Sequence, residues 1–354
     1  MRKLAQITGA ELDPARQSLL GADGFNLSAL FVPDDVMSTP AGGQPPSHGP
    51  ETVHPLPVTV DRWHGMSHLF HMAAEKYGGE PVRPALAAFV AHRVIPVLHS
   101  PARARDRHSE LSAASQLILL LGNVSMDSGY DRTAQHYHRI AARLAADAGD
   151  HATLAIALRT MSAHAYELGH HTPAVLRLSK QSVHHASAAP LAVQAYTQAN
   201  YAVLLAYYDR RAALDALSRA EHLHARAHAD APPGPFTAYP VGGLYYQRAQ
   251  TLNILGDRPG SVSALKTSLR LRTAAEYRAA SLTRARLAET HFQMGHLEQA
   301  LPQWQAFLTA YPSLSSARAR AHLHTLRQQL QSYQRHHAAR QLLAQARGFD
   351  HDLA

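Results

Sequence analysis

A helix-breaking signal recurs along the middle of the chain at intervals of about 40 residues. Glycine marks it at Gly129, Gly169, Gly256 and Gly295, and Asp209 in the stretch YYDRRAA holds the equivalent place. Long segments rich in Ala, Leu and Arg lie on either side, with apolar residues at the i, i+3, i+4 and i+7 spacing of amphipathic helices. Because a helix commonly ends on a left-handed residue, which glycine tolerates, each break predicts a turn between two helices. A fixed period of this length is typical of repeat architectures.

Two further segments extend the pattern toward both ends of the chain. Residues 62–98 form a predicted hairpin that turns at Gly78-Gly79, and residues 315–347 form a predicted terminal helix pair. We therefore expect six or seven helical hairpins between about Val58 and Gly348. The predicted regions are a short N-terminal segment (1–36), a Pro/Gly-rich linker (37–57), the repeat domain (58–348, with a Pro-rich loop around Pro232) and a tail (349–354).

Small residues recur at fixed offsets from the breaks. Gly122 and Ala134 flank Gly129, and Ala288 and Ala300 flank Gly295 in the same way. Two helices approach closely only where the side chains between them are small. Stacked hairpins of this kind form an extended concave surface, which the first helix of each pair would line.

The segment 286–312 resembles the tetratricopeptide repeat family. The match rests on the family's pattern of small, aromatic and turn positions. Those positions are occupied here by Leu287, Ala288, His291, Gly295, Ala300, Trp304 and Pro312. The resemblance implies an all-α fold, a right-handed superhelical solenoid of TPR-like helical hairpins.

Residues 73–98 and 129–150 are similar to the repeat domain of bacterial Xre-type transcriptional regulators, which carry a Cro-like helix-turn-helix before a tetratricopeptide array. This resemblance covers about residues 58 to 348. It implies a regulatory module that binds a peptide, a small ligand or a protein partner and that commonly dimerises. Only about 36 residues precede the linker, too few for an intact helix-turn-helix, so we expect at most a remnant there.

The predicted concave surface carries the candidate ligand-binding residues. Asn and Gln suit peptide capture because each offers a donor and an acceptor, and an arginine can hold a carboxylate through two parallel bonds. A solvated wall without specific contacts is the alternative. The inward-facing candidates are Gln116, Asn123, Arg159, Tyr166, Tyr246, Gln250 and Asn253, and Gln198 and Asn200 join them because the third repeat can be read in either of two registers.

A basic region follows the last break, since no acidic residue occurs between Glu298 and Asp350. Three interpretations stay open: contact with an acidic partner or nucleic acid, a capping hairpin whose arginine stems cover apolar surface, or self-association through Leu323, Leu326, Leu330 and Tyr333. Nucleic acid is the less favoured partner. The basic patch consists of Arg318, Arg320, Arg327, Arg335, Arg340 and Arg347.

Composition argues against several classes of chemistry. The chain has no cysteine, no opening apolar run typical of a signal peptide and no apolar stretch long enough to span a membrane, so we expect a cytoplasmic protein. His64, His68 and His71 share a helical face that could ligate zinc, but a packed helix face is the favoured interpretation. Ser263 and Lys266 fit Ser-x-x-Lys, the nucleophile motif of penicillin-recognising enzymes, but the companion motifs are absent and we interpret the match as chance. We expect a binding protein with no cofactor, no metal and no enzymatic activity, the alternative being an assembly scaffold or helper.

Overall fold

The computed structural model describes residues 25–27, 58–100, 104–227 and 239–349. Every regular element in these ranges is helical and none is a strand, so the predicted all-α class is confirmed. Most of the predicted N-terminal segment, the whole predicted linker, the loop around Pro232 and the tail beyond Phe349 lie outside the described residues.

The helices follow one another as adjacent pairs. The array begins with α1 (Val58–Tyr77), which packs mainly on the helix at 104–127, and a broken arm that meets α1 where the Phe70 and Phe89 rings lie 5.9 Å apart. That arm consists of α2 (Arg83–Phe89), a π-helical turn (Val90–Val94) and α3 (Ile95–His99). The later pairs are α4 (Ala104–Asp127) with α5 (Asp131–Asp147), α6 (His151–Glu167) with α7 (Pro173–His185), α8 (Leu191–Leu205) with α9 (Arg210–Ala227), α10 (Val241–Ile254) with α11 (Arg258–Leu271), α12 (Tyr277–Gln293) with α13 (Leu297–Ala310), and α14 (Ala317–Leu330) with α15 (His337–Gly348).

The predicted turns are present at all five breaks. Gly129, Gly169, Gly256 and Gly295 each adopt a positive φ, between 75° and 89°, which is the left-handed helix ending expected of glycine. Asp209 turns the chain differently. Its Oδ1 accepts a hydrogen bond from the backbone N–H of Ala212 at 3.0 Å and so caps the start of α9.

Small residues bring the two helices of a pair together, as predicted. A Cβ atom on Gly122 of α4 would lie 2.3 Å from the ring of His138 on α5. Ala134 on α5 and Ala300 on α13 are fully buried in the equivalent contacts. Contacts this close leave no room for a methyl group unless a neighbouring group moves.

The apolar core is unevenly distributed along the array. One continuous cluster runs from Val60 on α1 to Leu204 on α8. A second cluster, around Trp304 and Phe307, joins α12 to α15. Three smaller clusters fill the part between them. Each hairpin therefore depends on its neighbours for burial, as in other repeat arrays.

The two ends of the described array meet. Helices α1 and α4 contact α12 and α14, and we call this contact the closure seam. Ser315, just before α14, donates its N–H to the carbonyl of Tyr77 at 2.8 Å, and the N–H of Glu80 donates to the carbonyl of Ser315 at 3.3 Å. A Cβ atom on Gly78 would lie 2.4 Å from that Ser315 carbonyl oxygen. The hairpins thus curve into a ring in which the first and later parts of the described array touch, so the seam closes the concave side that the sequence predicted as an extended, open surface.

Ionic contacts fasten the closure seam. Arg278 of α12 binds Glu75 of α1 at 2.5 Å and Asp127 of α4 at 3.0 Å. Asp127 also accepts hydrogen bonds from the Ser316 hydroxyl and from the N–H of Gly79, both at 2.8 Å. Burial alone would raise the pKa of both carboxyl groups, but Arg278 holds each pKa below its ordinary value. The carboxylates therefore stay charged inside the seam.

Candidate functional site: a cavity lined by tyrosine and arginine

A cavity of about 490 Å³ lies within the ring. Volumes of this size are typical of small-ligand sites. The C-terminal end of α6 and the turn after α8 form one wall, and α10, α12 and α14 form the rest. The lining residues are Tyr166, Glu167, Gly169, His171, Tyr207, Tyr246, Gln250, Arg272, Arg278, Ala279, Leu282, Thr283, Arg286, Arg318, Ala321 and His322.

Three aromatic rings form one wall of the cavity. His171 stacks on Tyr207 with ring centroids 4.2 Å apart, and Tyr166 meets both rings edge-on at 5.3 and 6.1 Å. Burial, and then the neighbouring Tyr207, raises the pKa of Tyr166 above its ordinary value, so its hydroxyl stays protonated. This wall offers flat apolar faces together with hydroxyl groups.

Arginines on α11–α12 and α14 form the opposite wall, and each is paired with a carboxylate. Arg272 binds Glu276 at 2.8 Å, and Arg318 binds Glu167 at 2.5 Å. The carboxylates therefore largely neutralise the positive charge of this wall, and the ion pairs hold the arginine side chains in fixed positions.

Arg286 is the arginine most available to a ligand. Its side chain is 38% exposed, whereas its carboxylate partner Glu289, at 2.9 Å, is only 7% exposed. Tyr246 also hydrogen-bonds Arg286, and His322 contacts Glu289 at 2.6 Å. Neighbours on two sides hold the guanidinium in place while part of it faces the cavity. Such a group can bind an incoming carboxylate in the geometry that arginine favours.

Three predicted groove residues line this cavity: Tyr166, Tyr246 and Gln250. Others lie elsewhere. Asn123 contacts His138 on the paired helix at 3.1 Å, and the Arg159 guanidinium stacks over the Tyr196 ring at 4.0 Å. Neither lines the cavity, and neither do the half-buried Gln116 and Asn253.

The predicted inward positions on α8 are wrong. Asn200 is 3% exposed and donates from Nδ2 to the hydroxyls of Ser162 at 2.9 Å and Ser179 at 3.1 Å, so it joins three helices inside the array. Gln198 is 6% exposed and does not line the cavity. The break at Asp209 has no glycine, which left the helical register of this repeat ambiguous in the sequence.

The predicted basic patch is divided among separate roles. Arg318 and Arg320 belong to the closure seam, where Arg318 contacts Met126 of α4 and Arg320 binds Glu80 at 3.2 Å. Arg327 donates to the Ala346 carbonyl near the end of α15. Arg335, Arg340 and Arg347 are exposed.

The apolar surface suggested for self-association is not available. Leu323, Leu326 and Leu330 are at most 4% exposed, because they pack in the cluster that joins α12 to α15. Only Tyr333 is exposed, and its ring meets Phe292 with centroids 5.6 Å apart. The prediction that these leucines form an association surface is wrong.

The histidine face of α1 remains partly exposed. His64 and His71 are half-buried and His68 is exposed, and burial lowers the pKa of His71 below its ordinary value. Within the described ranges, no group of three or more histidines and carboxylates is placed to hold a metal ion. None of the helices described there is long and apolar enough to cross a membrane.

Sequence reasoning missed the arginine wall. Arg278, Leu282 and Arg286 follow one another at i, i+4 and i+8, a spacing that places them on one face of α12. That spacing indicates, from the sequence alone, that the two arginines share a helix face. The carboxylates that pair with Arg278 come from α1 and α4, which no local pattern predicts.

No protein-family model and no curated protein matches this chain.

Proposed function

We propose that the chain is a regulatory module that binds a short peptide or small carboxylate-bearing ligand in its central cavity. In this proposal the hairpins are tetratricopeptide-like and wind as a right-handed superhelical solenoid. The module belongs to the bacterial Xre-type class, acts in the cytoplasm in transcriptional or developmental control, and binds without catalysing a reaction. The observation that carries the proposal is the cavity between an aromatic wall and Arg286.

The two walls suit different parts of one ligand. The rings of Tyr166, His171 and Tyr207 offer apolar faces to a side chain or a ring. Arg286 and the amide of Gln250 offer donors to a carboxylate or a peptide group. A cavity of about 490 Å³ accepts a ligand of a few residues at most, which favours a sensor over a scaffold for large proteins.

A random tripeptide library screened against the full chain tests this proposal. We expect enriched peptides that combine a carboxylate with an aromatic or aliphatic residue. Calorimetry should then show that Arg286→Gln weakens binding at least ~10-fold, since a lost charge-assisted hydrogen bond costs about 1.5–3 kcal/mol.

Arg335→Gln is the matched control, because Arg335 is an exposed arginine outside the cavity. It should bind the enriched peptides as the unchanged chain does. If no peptide is enriched, or if both variants bind equally well, the cavity is not the recognition site.

A further inference from the structure

The short segment 25–27 is bound to the array at a place away from the central cavity. The N–H of Asn26 donates to Oε1 of Gln135 at 3.1 Å, and Nε2 of Gln135 donates to the Asn26 carbonyl at 2.7 Å. One glutamine on α5 therefore satisfies both main-chain groups of a single residue. Main-chain pairing of this kind gives affinity that does not depend on the bound side chain.

Two histidines hold the preceding side chain. The Phe25 ring stacks on His170 with centroids 5.4 Å apart and meets His164 edge-on at 5.0 Å. Leu27 is half-buried and packs, like Phe25, against the large N-terminal core cluster. The Asn26 side chain, in contrast, belongs to an exposed residue. The described contacts thus hold an aromatic residue and an apolar residue on either side of Asn26.

The receiving surface is a cleft between two neighbouring hairpins, which we call the Gln135 cleft and define by Gln135, His164 and His170. Gln135 and His164 are only 3% and 2% exposed. Nε2 of His164 is fixed by Oδ1 of Asp131 at 2.9 Å. None of the three lines the central cavity. The cleft is thus a separate, rigidly built site.

We propose that the Gln135 cleft is a second recognition site, which takes short peptides containing Phe-Asn-Leu and is occupied in cis by Phe25–Leu27 of this chain. The chain's own segment then acts as a tethered competitor. Because the segment and the cleft belong to one chain, the effective concentration of the segment at the cleft is on the order of millimolar, and a free peptide must overcome that competition. A segment that stays docked must itself bind with a Kd at or below about that concentration.

A labelled peptide of residues 22–31, ADGFNLSALF, is the probe. It is titrated by fluorescence anisotropy into the full chain and into the full chain with Phe25→Ala, which disables the tethered competitor. We expect the Phe25→Ala chain to bind the probe with a Kd near or below ~1 mM, and the unchanged chain to bind at least ~5-fold more weakly. Adding Gln135→Ala to Phe25→Ala should weaken binding at least ~10-fold, since two hydrogen bonds are lost.

Gln194→Ala added to Phe25→Ala is the matched control, because the Gln194 amide also bonds a main-chain carbonyl, that of Ala189 at 2.8 Å, outside the cleft. It should bind the probe as Phe25→Ala alone does. If Gln135→Ala disturbs folding by circular dichroism, His170→Ala replaces it, with the same expected loss. The proposal is overturned by equal binding to the unchanged and Phe25→Ala chains, by binding insensitive to the cleft variants, or by a Kd above ~10 mM. None of these outcomes bears on the central cavity.

Discussion

The closure seam and the contacts between the two helices of a hairpin are built from different interactions. Within a hairpin, contact is made by buried alanines and leucines and by Gly122 against His138. At the seam, Arg278 meets Glu75 and Asp127 with directional ionic bonds. Chain connectivity already brings neighbouring hairpins together, whereas nothing local selects which distant helices should meet. Polar contacts at fixed geometry specify that pairing, because any displacement of α12 relative to α1 and α4 leaves buried charges without partners.

Removing the central arginine of the seam should have the largest effect on stability. Arg278→Ala leaves Glu75 and Asp127 buried without their cation, and breaking a buried pair in this way costs about 3–5 kcal/mol. Urea denaturation midpoints measure this loss. The variant Arg278→Met with Glu75→Gln and Asp127→Asn should recover part of it. An unchanged midpoint for Arg278→Ala would show that the ring does not close through this contact.

Mild acid should weaken a hairpin contact before it weakens the seam. His185 of α7 is 1% exposed, and burial, followed by His184 and His151, lowers its pKa from 6.5 to about 4. Because the unfolded chain binds this proton at higher pH than the folded chain, folded-state stability falls as pH drops from 6.5 toward 4, by up to about 3 kcal/mol. His185→Leu should flatten the dependence of the denaturation midpoint on pH in that window. His337→Leu, at an exposed histidine on α15, should leave that dependence unchanged.

The seam should respond to pH in a separate, lower window. The pKa of Glu75 and that of Asp127 are lowered below their ordinary values of 4.5 and 3.8. Their stabilising contribution is therefore complete above those values and is lost as pH falls through the lower folded-state values. Without Arg278, burial raises the pKa of both carboxyl groups, so the stability difference between the unchanged chain and Arg278→Ala should begin to narrow above pH 4.5, as the carboxylates of the variant take up protons, and should narrow further as the unchanged chain loses its own contribution. A difference that does not change with pH would contradict the assignment of these charges to the seam.

A single added methyl group distinguishes a close helix contact from an open one. Gly122→Ala should destabilise the chain by about 1–3 kcal/mol, because the new Cβ lies 2.3 Å from the buried His138 ring. Gly65→Ala on α1 meets nothing within 4 Å and should stabilise it by about 0.5–1 kcal/mol through helix propensity. Thermal denaturation of the two variants measures both changes. Equal effects would mean that α4 and α5 pack less closely than described.

Exposed arginines of the last pair should have the smallest effect. Arg335→Ala with Arg347→Ala should change stability by no more than about 0.5 kcal/mol, because neither lies in the seam or the core. A mobility-shift assay on the unchanged chain and the double variant tests nucleic-acid binding. We expect the unchanged chain to form no salt-dependent complex with nucleic acid. A complex that the double variant loses would restore the nucleic-acid interpretation.

The helix pairs were predictable because their signals are local. Glycines at 129, 169, 256 and 295 mark turns whose backbone only glycine adopts easily, and small residues mark the close contacts. Closure of the ring was not predictable, since it depends on small rotations that accumulate over every hairpin. Asn200 shows the same limit at one residue. Its side chain lies buried between helices. The sequence could not show this, because a register uncertain by two positions moves a helical residue to a different face.

Two arginines belong both to the closure seam and to the cavity wall. Arg278 joins α12 to α1 and α4, Arg318 contacts Met126 on α4, and both line the cavity. A molecule bound against these two side chains would therefore also alter the contacts that join α12 and α14 to α1 and α4. By thermodynamic reciprocity, weakening those contacts would change the affinity for that molecule by the same factor.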